Sequence, residues 1–115
     1  MALARSHKPS KAPYAVLQAC HDLGERLAVA RKRRRLTQKE LAKRAGLSSF
    51  TVIRIEKGVA STELGSIVRV LWALGLEATL GHVAHTTDDE VGQALERSRL
   101  PKRVTKGKDR LDDDF

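Results

Sequence analysis

Between Thr37 and Gly58 the chain reads TQKELAKRAGLSSFTVIRIEKG, and the side chains of its second half could do one kind of chemistry. Ser48, Ser49 and Thr51 bring hydroxyls, Phe50 a phenyl ring, Arg54 a guanidinium and Lys57 an ammonium. A hydroxyl can donate or accept at a base edge, a guanidinium can pair with guanine through two hydrogen bonds, and an apolar group can touch a thymine methyl. Lysine and arginine pair with phosphate. Other reactive residue types are less well arranged. Cys20 and His21 are sequence neighbours, which does not aim one side chain at the other, and a buried structural thiol fits Cys20 better than a nucleophile. His82 and His85 are three apart but lack a third ligand. There is no phosphate-binding glycine loop and no acid–base constellation. We expect no enzyme, no metal and no cofactor.

The elements around this stretch follow from spacing. Val16, Leu17, Cys20, Leu23, Leu27 and Ala30 recur at three and four, so a first amphipathic helix runs to about Arg35, weakened locally by Gly24. Thr37-Gln-Lys-Glu40 is a capping box, which starts a second helix that buries Leu41, Ala42 and Ala45 and ends at Gly46. Ser48 caps a third helix, with Val52 and Ile55 inward and Gly58 marking its end. A fourth helix follows a Ser61 or Thr62 cap and carries Leu64, Ile67, Val68, Leu71, Trp72 and Leu74 as its apolar stripe. Leu76-Glu-Ala-Thr-Leu80 alternates as a short strand would. A lone strand needs a partner, so Leu76, Ala78 and Leu80 are expected to pair with a second subunit across a two-fold axis.

The expected fold is all-α: a compact four- to five-helix domain over residues 14–83 with a short C-terminal strand. A basic arm over 1–13 and a charged tail over 84–115 flank it, both expected to be flexible. Asp88 to Ser98 of the tail has weak helical periodicity. The charge is unevenly spread: residues 1–83 hold 15 Lys or Arg against 6 Asp or Glu, and residues 84–115 hold 7 against 8. A positive field confined to the folded part favours a polyanion. No run of 18 apolar residues exists and the N-terminus lacks the apolar core of a secretory signal, so we expect no membrane partner and a cytoplasmic location. A single cysteine excludes an intrachain disulfide.

Two short helices joined by a glycine turn describe a helix-turn-helix, whose second helix enters the major groove. With Val52 and Ile55 inward, steps of about 100° leave Phe50, Ile53, Arg54 and Lys57 outward. This wet apolar face suits base edges, and it equally suits a docked protein chain. Arg31-Lys-Arg-Arg-Arg35 concentrates five positive charges, with Arg33 and Arg34 among the expected phosphate contacts.

From Leu23 to Leu76 the chain resembles the XRE (Cro/CI-type) helix-turn-helix family. The residues that carry the resemblance are Ala30-Arg31, Leu36-Thr37-Gln38, Glu40-Leu41-Ala42, Ala45-Gly46-Leu47-Ser48, Ile55-Glu56-Lys57-Gly58 and Ala73-Leu74-Gly75-Leu76. Its ending ALGLEATL is most similar to HipB-type antitoxins. The resemblance implies a homodimeric repressor that binds double-stranded operator DNA and, in the narrower group, a HipA-like kinase toxin. A repressor without a toxin is the alternative. By the same resemblance Gln38 holds a phosphate and orients the recognition helix, Ser49, Phe50 and Arg54 read bases, and Lys57 touches the backbone. Arg31 and Glu56 match a partly buried ion pair. Phe50 replaces a residue that is commonly polar, which puts methyl contact or a protein interface in place of hydrogen-bond readout there.

Overall fold

The computed structural model describes residues 12–99, so most of the basic arm and the end of the tail fall outside the described residues. Five α-helices follow one another: α1 (Tyr14–Arg33), α2 (Gln38–Ala45), α3 (Ser49–Glu56), α4 (Leu64–Ala73) and α5 (Glu90–Arg99). Two 3-10 helices, Glu77–His82 and Thr86–Asp88, lie between α4 and α5. The chain divides into two units, the first ending at Leu80 and the second beginning at Gly81. The architecture is all-α, and no strand occurs among the described residues.

Local signals start α2 and α3. The Thr37 hydroxyl accepts from the Glu40 amide at 3.0 Å and the Glu40 carboxylate accepts from the Thr37 amide at 2.8 Å, which completes the capping box. The Thr37 amide first, and its hydroxyl second, hold the Glu40 carboxyl below its usual range. Ser48 caps α3 through the Thr51 amide. Helix α4 starts differently from the expectation. Its N-cap is Glu63 without a side-chain bond, while the Thr62 hydroxyl donates to the Val59 carbonyl and Ser61 is exposed.

Helices α1 to α4 all close in the same way. The amides of Leu36, Leu47, Val59 and Leu76 reach back to the carbonyls of Arg31, Ala42, Arg54 and Leu71, the six-to-one bond of a Schellman motif. Each of these four is apolar, so the bond that ends a helix also turns a side chain back towards the protein. Three of the preceding residues are glycines, but the first is Arg35, at φ 56°. Nothing in its type announces a left-handed position.

The core of the first unit gathers Leu27 from α1, Leu36 from the first turn, Leu41 and Ala42 from α2, Val52 and Ile55 from α3, and Val70, Leu71 and Leu74 from α4. Inverse to its reading as a weak point, Gly24 lies in the middle of an unbroken α1, because a Cβ there would come within 2.6 Å of the Ile55 and Glu56 carbonyls. Gly58 is doubly constrained: its φ is +76°, and a Cβ would lie 2.5 Å from the Cα of His21. The two glycines let α1 and the end of α3 touch backbone to backbone.

Two further expectations are corrected. Leu76 to Leu80 does not form a strand; Leu76 precedes a 3-10 helix that contains Leu80, and both leucines pack against the core of their own chain, leaving Ala78 exposed. Residues spaced by two are also spaced by four, so a five-residue alternation fits a helical turn equally well. On α4, Leu64 and Trp72 are exposed at 68% and 58%, whereas Val70, outside the expected stripe, is fully buried. In the second unit, the helical stretch read over Asp88 to Ser98 is present as α5.

A left-handed non-glycine residue costs about 1 kcal/mol or more. Arg35→Gly should therefore raise the unfolding free energy by about 1 kcal/mol, read as a higher urea midpoint by circular dichroism with an unchanged slope.

Candidate nucleic-acid interface

The outer face of α3 depends on how α3 is held, and a buried polar cluster holds it. Arg31, near the end of α1, donates from Nε to Glu56 Oε2 at 2.7 Å and from Nη2 to Glu56 Oε1 at 3.0 Å. Its Nη1 donates to the Leu36 carbonyl at 2.8 Å. Gln38, the first residue of α2, donates from Nε2 to the same Glu56 Oε1 at 2.9 Å. The side chains of Arg31 and Glu56 are 11% and 6% exposed, so little water screens the pair. One carboxylate thus ties α3 to α1 and α2 at once. Gln38 gives one of its two side-chain N–H groups to this cluster.

On the face turned away, Phe50 is 67% exposed, and the Arg54 guanidinium carbon stands 5.8 Å from the Phe50 ring centroid. Arg54 Nη2 also donates to the Ser61 hydroxyl at 3.2 Å. Lys57, the C-cap of α3, is exposed, while Ser49 and Ile53 are half-buried. The Ser48 and Thr51 hydroxyls lie 3.0 Å apart, and Ser48 Oγ also serves the helix cap. Ser48 and Thr51 are therefore coupled to one another as well as facing outward.

Placement separates the arginine run. Arg34 turns back and donates from Nη1 to the Ala30 carbonyl at 2.7 Å. Arg33 lines an open groove with Asp22, Glu25, Arg26, Val29 and Leu76. Two residues on from Arg31, it sits about 200° further round α1 from the face that meets α3. Arg33 and the α3 residues are not brought together. Lys39 and Lys43, which spacing alone did not single out, line a shallow groove with Ser48 and Ser49. Being four apart on α2, they share one helix face, and that relation was legible once α2 was placed.

Arg69 carries the one charge of α4 and directs Nη1 to the Ala45 carbonyl at 3.2 Å, at the close of α2. The stripe Leu64, Val68 and Trp72 thus stands without a charged side chain on it. Elsewhere, His85 is occupied by Thr87, whose amide it accepts at 3.3 Å. His21, Asp22 and Glu25 bring possible ligand atoms within 4.8 Å of one another. A His21 Nε2–Glu25 Oε2 contact at 3.4 Å and a Gln18 donor to Asp22 hold these side chains together. No helix among the described residues is long and apolar enough to cross a membrane.

Residues 22–81 match the family model of a helix-turn-helix domain, which takes in more than half of the chain. An uncharacterized HTH-type transcriptional regulator of Sinorhizobium fredii is 39% identical over 56 residues, covering 49% of this chain. The chain spans 29% of the length of that relative. No solved structure matches it.

Removing one partner of a buried ion pair leaves the other charge stranded, at a cost of about 3–5 kcal/mol. Glu56→Ala should lose stability on that scale in urea unfolding, and Gln38→Ala about 1.5 kcal/mol. A Glu56→Ala midpoint equal to that of the unaltered protein would show that the cluster does not hold α3.

Proposed function

Because the chain belongs to the helix-turn-helix domain family, we propose that it is a sequence-specific DNA-binding repressor whose α3 lies in the major groove. The observation that carries this reading is the face of α3 itself. A ring two-thirds exposed beside a guanidinium, on a helix that buries only Val52 and Ile55, has no role in the core of this chain. In a major groove the same pair meets thymine methyls and guanine acceptors. Ser49, Phe50 and Arg54 read bases, with Ser48 and Thr51 at the helix start beside them. Lys57, Lys39 and Lys43 hold phosphates on either side. Gln38 acts by orienting α3 through Glu56, and the free amides at the start of α2 add an anion-binding end. Arg34 contributes charge near the α1 end, and Arg33 contributes to the long-range field rather than to a contact.

Repressors of this kind read inverted repeats as dimers, with half-sites about one turn, or 34 Å, apart. Leu76 and Leu80 are used by the core of their own chain, so the surface that best fits a second copy is the uncharged stripe of Leu64, Val68 and Trp72. Two bodies of strong positive charge repel wherever lysine and arginine face one another, and this stripe is where they can meet without that cost. The likeness to a transcriptional regulator of Sinorhizobium fredii supports the regulatory role. The finer reading follows the likeness of ALGLEATL to HipB-type antitoxins: the protein represses its own operon in the cytoplasm and binds a HipA-like kinase toxin.

The first test titrates the purified full chain against duplex DNA from upstream of its own coding region and against scrambled DNA, over a series of salt concentrations. Affinity for the upstream DNA should exceed the scrambled by at least about a thousandfold and fall steeply with salt. Arg54→Ala should narrow that gap, and Lys57→Ala should weaken both DNAs alike. Equal weak binding to both would overturn the repressor reading and favour a protein on the Phe50 face. Trp72→Asp should convert a dimer to a monomer in sedimentation equilibrium, and an unchanged mass would exclude the α4 stripe as the pairing surface. For the antitoxin reading, co-expression should restore growth to cells that make a kinase encoded beside this gene.

A further inference from the structure

We propose that Phe50, Arg54 and Ser61 act as one reading unit for a 5-methylpyrimidine next to a guanine, with Ser61 as the positioning residue. The proposal rests on the DNA-reading function above and names the base step that function recognises. Its starting point is that Arg54 is not a free side chain. One face of the guanidinium lies 5.8 Å from the Phe50 ring centroid, and Nη2 donates to Ser61 Oγ at 3.2 Å. A cation over an aromatic face is attracted by the ring quadrupole, and the hydroxyl fixes the direction of the plane. Held from two sides, the guanidinium gives up little further freedom when it binds.

The donors left over fit guanine. Arginine has five N–H groups, and Ser61 takes one, so a bidentate pair with guanine O6 and N7 remains available. The ring has no hydrogen-bonding group, so the base it meets is recognised by its methyl. Ring and guanidinium are 5.8 Å apart, less than the rise of about 6.8 Å over two successive base steps of about 3.4 Å each, so the two groups are close enough to meet neighbouring base pairs. The same contact that holds Arg54 therefore couples the identity of one base to that of the next.

Ser61 is itself well placed to act as a fixed point. It lies beyond α3, in a turn closed by the Val59 amide on the Arg54 carbonyl and by the Thr62 amide and hydroxyl on the Val59 carbonyl. That turn begins at Gly58, whose Cα has no room for a side chain against the backbone of α1. The hydroxyl is thus anchored both to the end of α3, through the Val59 amide, and to α1, through Gly58, and it holds Arg54 from a turn beyond the helix that carries it.

The test starts by selecting tight sites for the full chain from a randomised duplex pool. In the recovered site the pyrimidine is replaced by deoxyuridine, cytosine or 5-methylcytosine, and the guanine by 7-deazaguanine. Deoxyuridine and 7-deazaguanine should each weaken binding roughly 5- to 100-fold. 5-Methylcytosine should bind more tightly than cytosine if the methyl is read, and equally with it if the thymine carbonyl is read instead, which would overturn the methyl contact. Ser61→Ala should reduce discrimination against 7-deazaguanine while leaving the affinity for scrambled DNA and the unfolding midpoint unchanged, and Ser61→Thr should restore it. A Ser61→Ala protein that is less stable and weaker on every DNA would make Ser61 a structural residue and overturn its positioning role. Enriched sites without an adjacent methylpyrimidine and guanine would overturn this inference alone. A pool with no enriched site would overturn the repressor function beneath it.

Discussion

A single carboxylate fixes the arrangement on which the rest of this domain depends. Glu56 stands at the end of α3, receives three hydrogen bonds, and draws them from the end of α1 and the start of α2. A buried ion pair adds little stability compared with apolar packing of the same size, because both charges lose their water. What it supplies here is geometry. Apolar contacts between α1, α2 and α3 would tolerate small rotations of α3, whereas a bidentate guanidinium on a carboxylate does not. The rotation of α3 sets the direction in which Phe50 and Arg54 point, and the proposed groove contact depends on it.

Backbone proximity reinforces the same contact. Gly24 and Gly58 bring α1 within touching distance of the last turn of α3, so the cluster joins two helices whose backbones already touch. The four helix endings add a second layer of constraint. Each Schellman closure sends an apolar residue back against the protein, and Leu36 and Leu76 at the first and last of them join the core or its edge. Short helices of eight residues would be marginal in isolation, and here their two ends are determined as firmly as their faces. The reading face can then be rich in polar and exposed side chains without a loss of order.

What the sequence made legible was local. Thr37 with Glu40, Gly46 and Ser48 mark α2 and α3 because caps act within four residues, and the inward pair Val52 and Ile55 follows from helical period alone. The XRE resemblance pointed to Arg31 and Glu56, 25 positions apart, which no spacing rule connects. Relations that depend on packing were not legible. Gly24 reads as a weak helix position until α3 is seen lying on it, and Arg35 gives no sign of its left-handed backbone. Leu76 to Leu80 alternates equally for a strand and for a helical turn, and only the core beneath Leu76 and Leu80 decides. Ser61 reads as a helix cap, yet it is a partner of Arg54, seven residues away across a turn.

The central claim is that α3 presents Phe50 and Arg54 to base edges in the major groove. Dimethyl sulfate footprinting of the full chain on its tightest DNA site tests it most directly, since guanine N7 opens to the major groove and adenine N3 to the minor. Guanine N7 should be protected in two patches about one helical turn apart, with adenine N3 left reactive between and within them. Protection confined to adenine N3, or a bound complex with every guanine N7 still reactive, would contradict it.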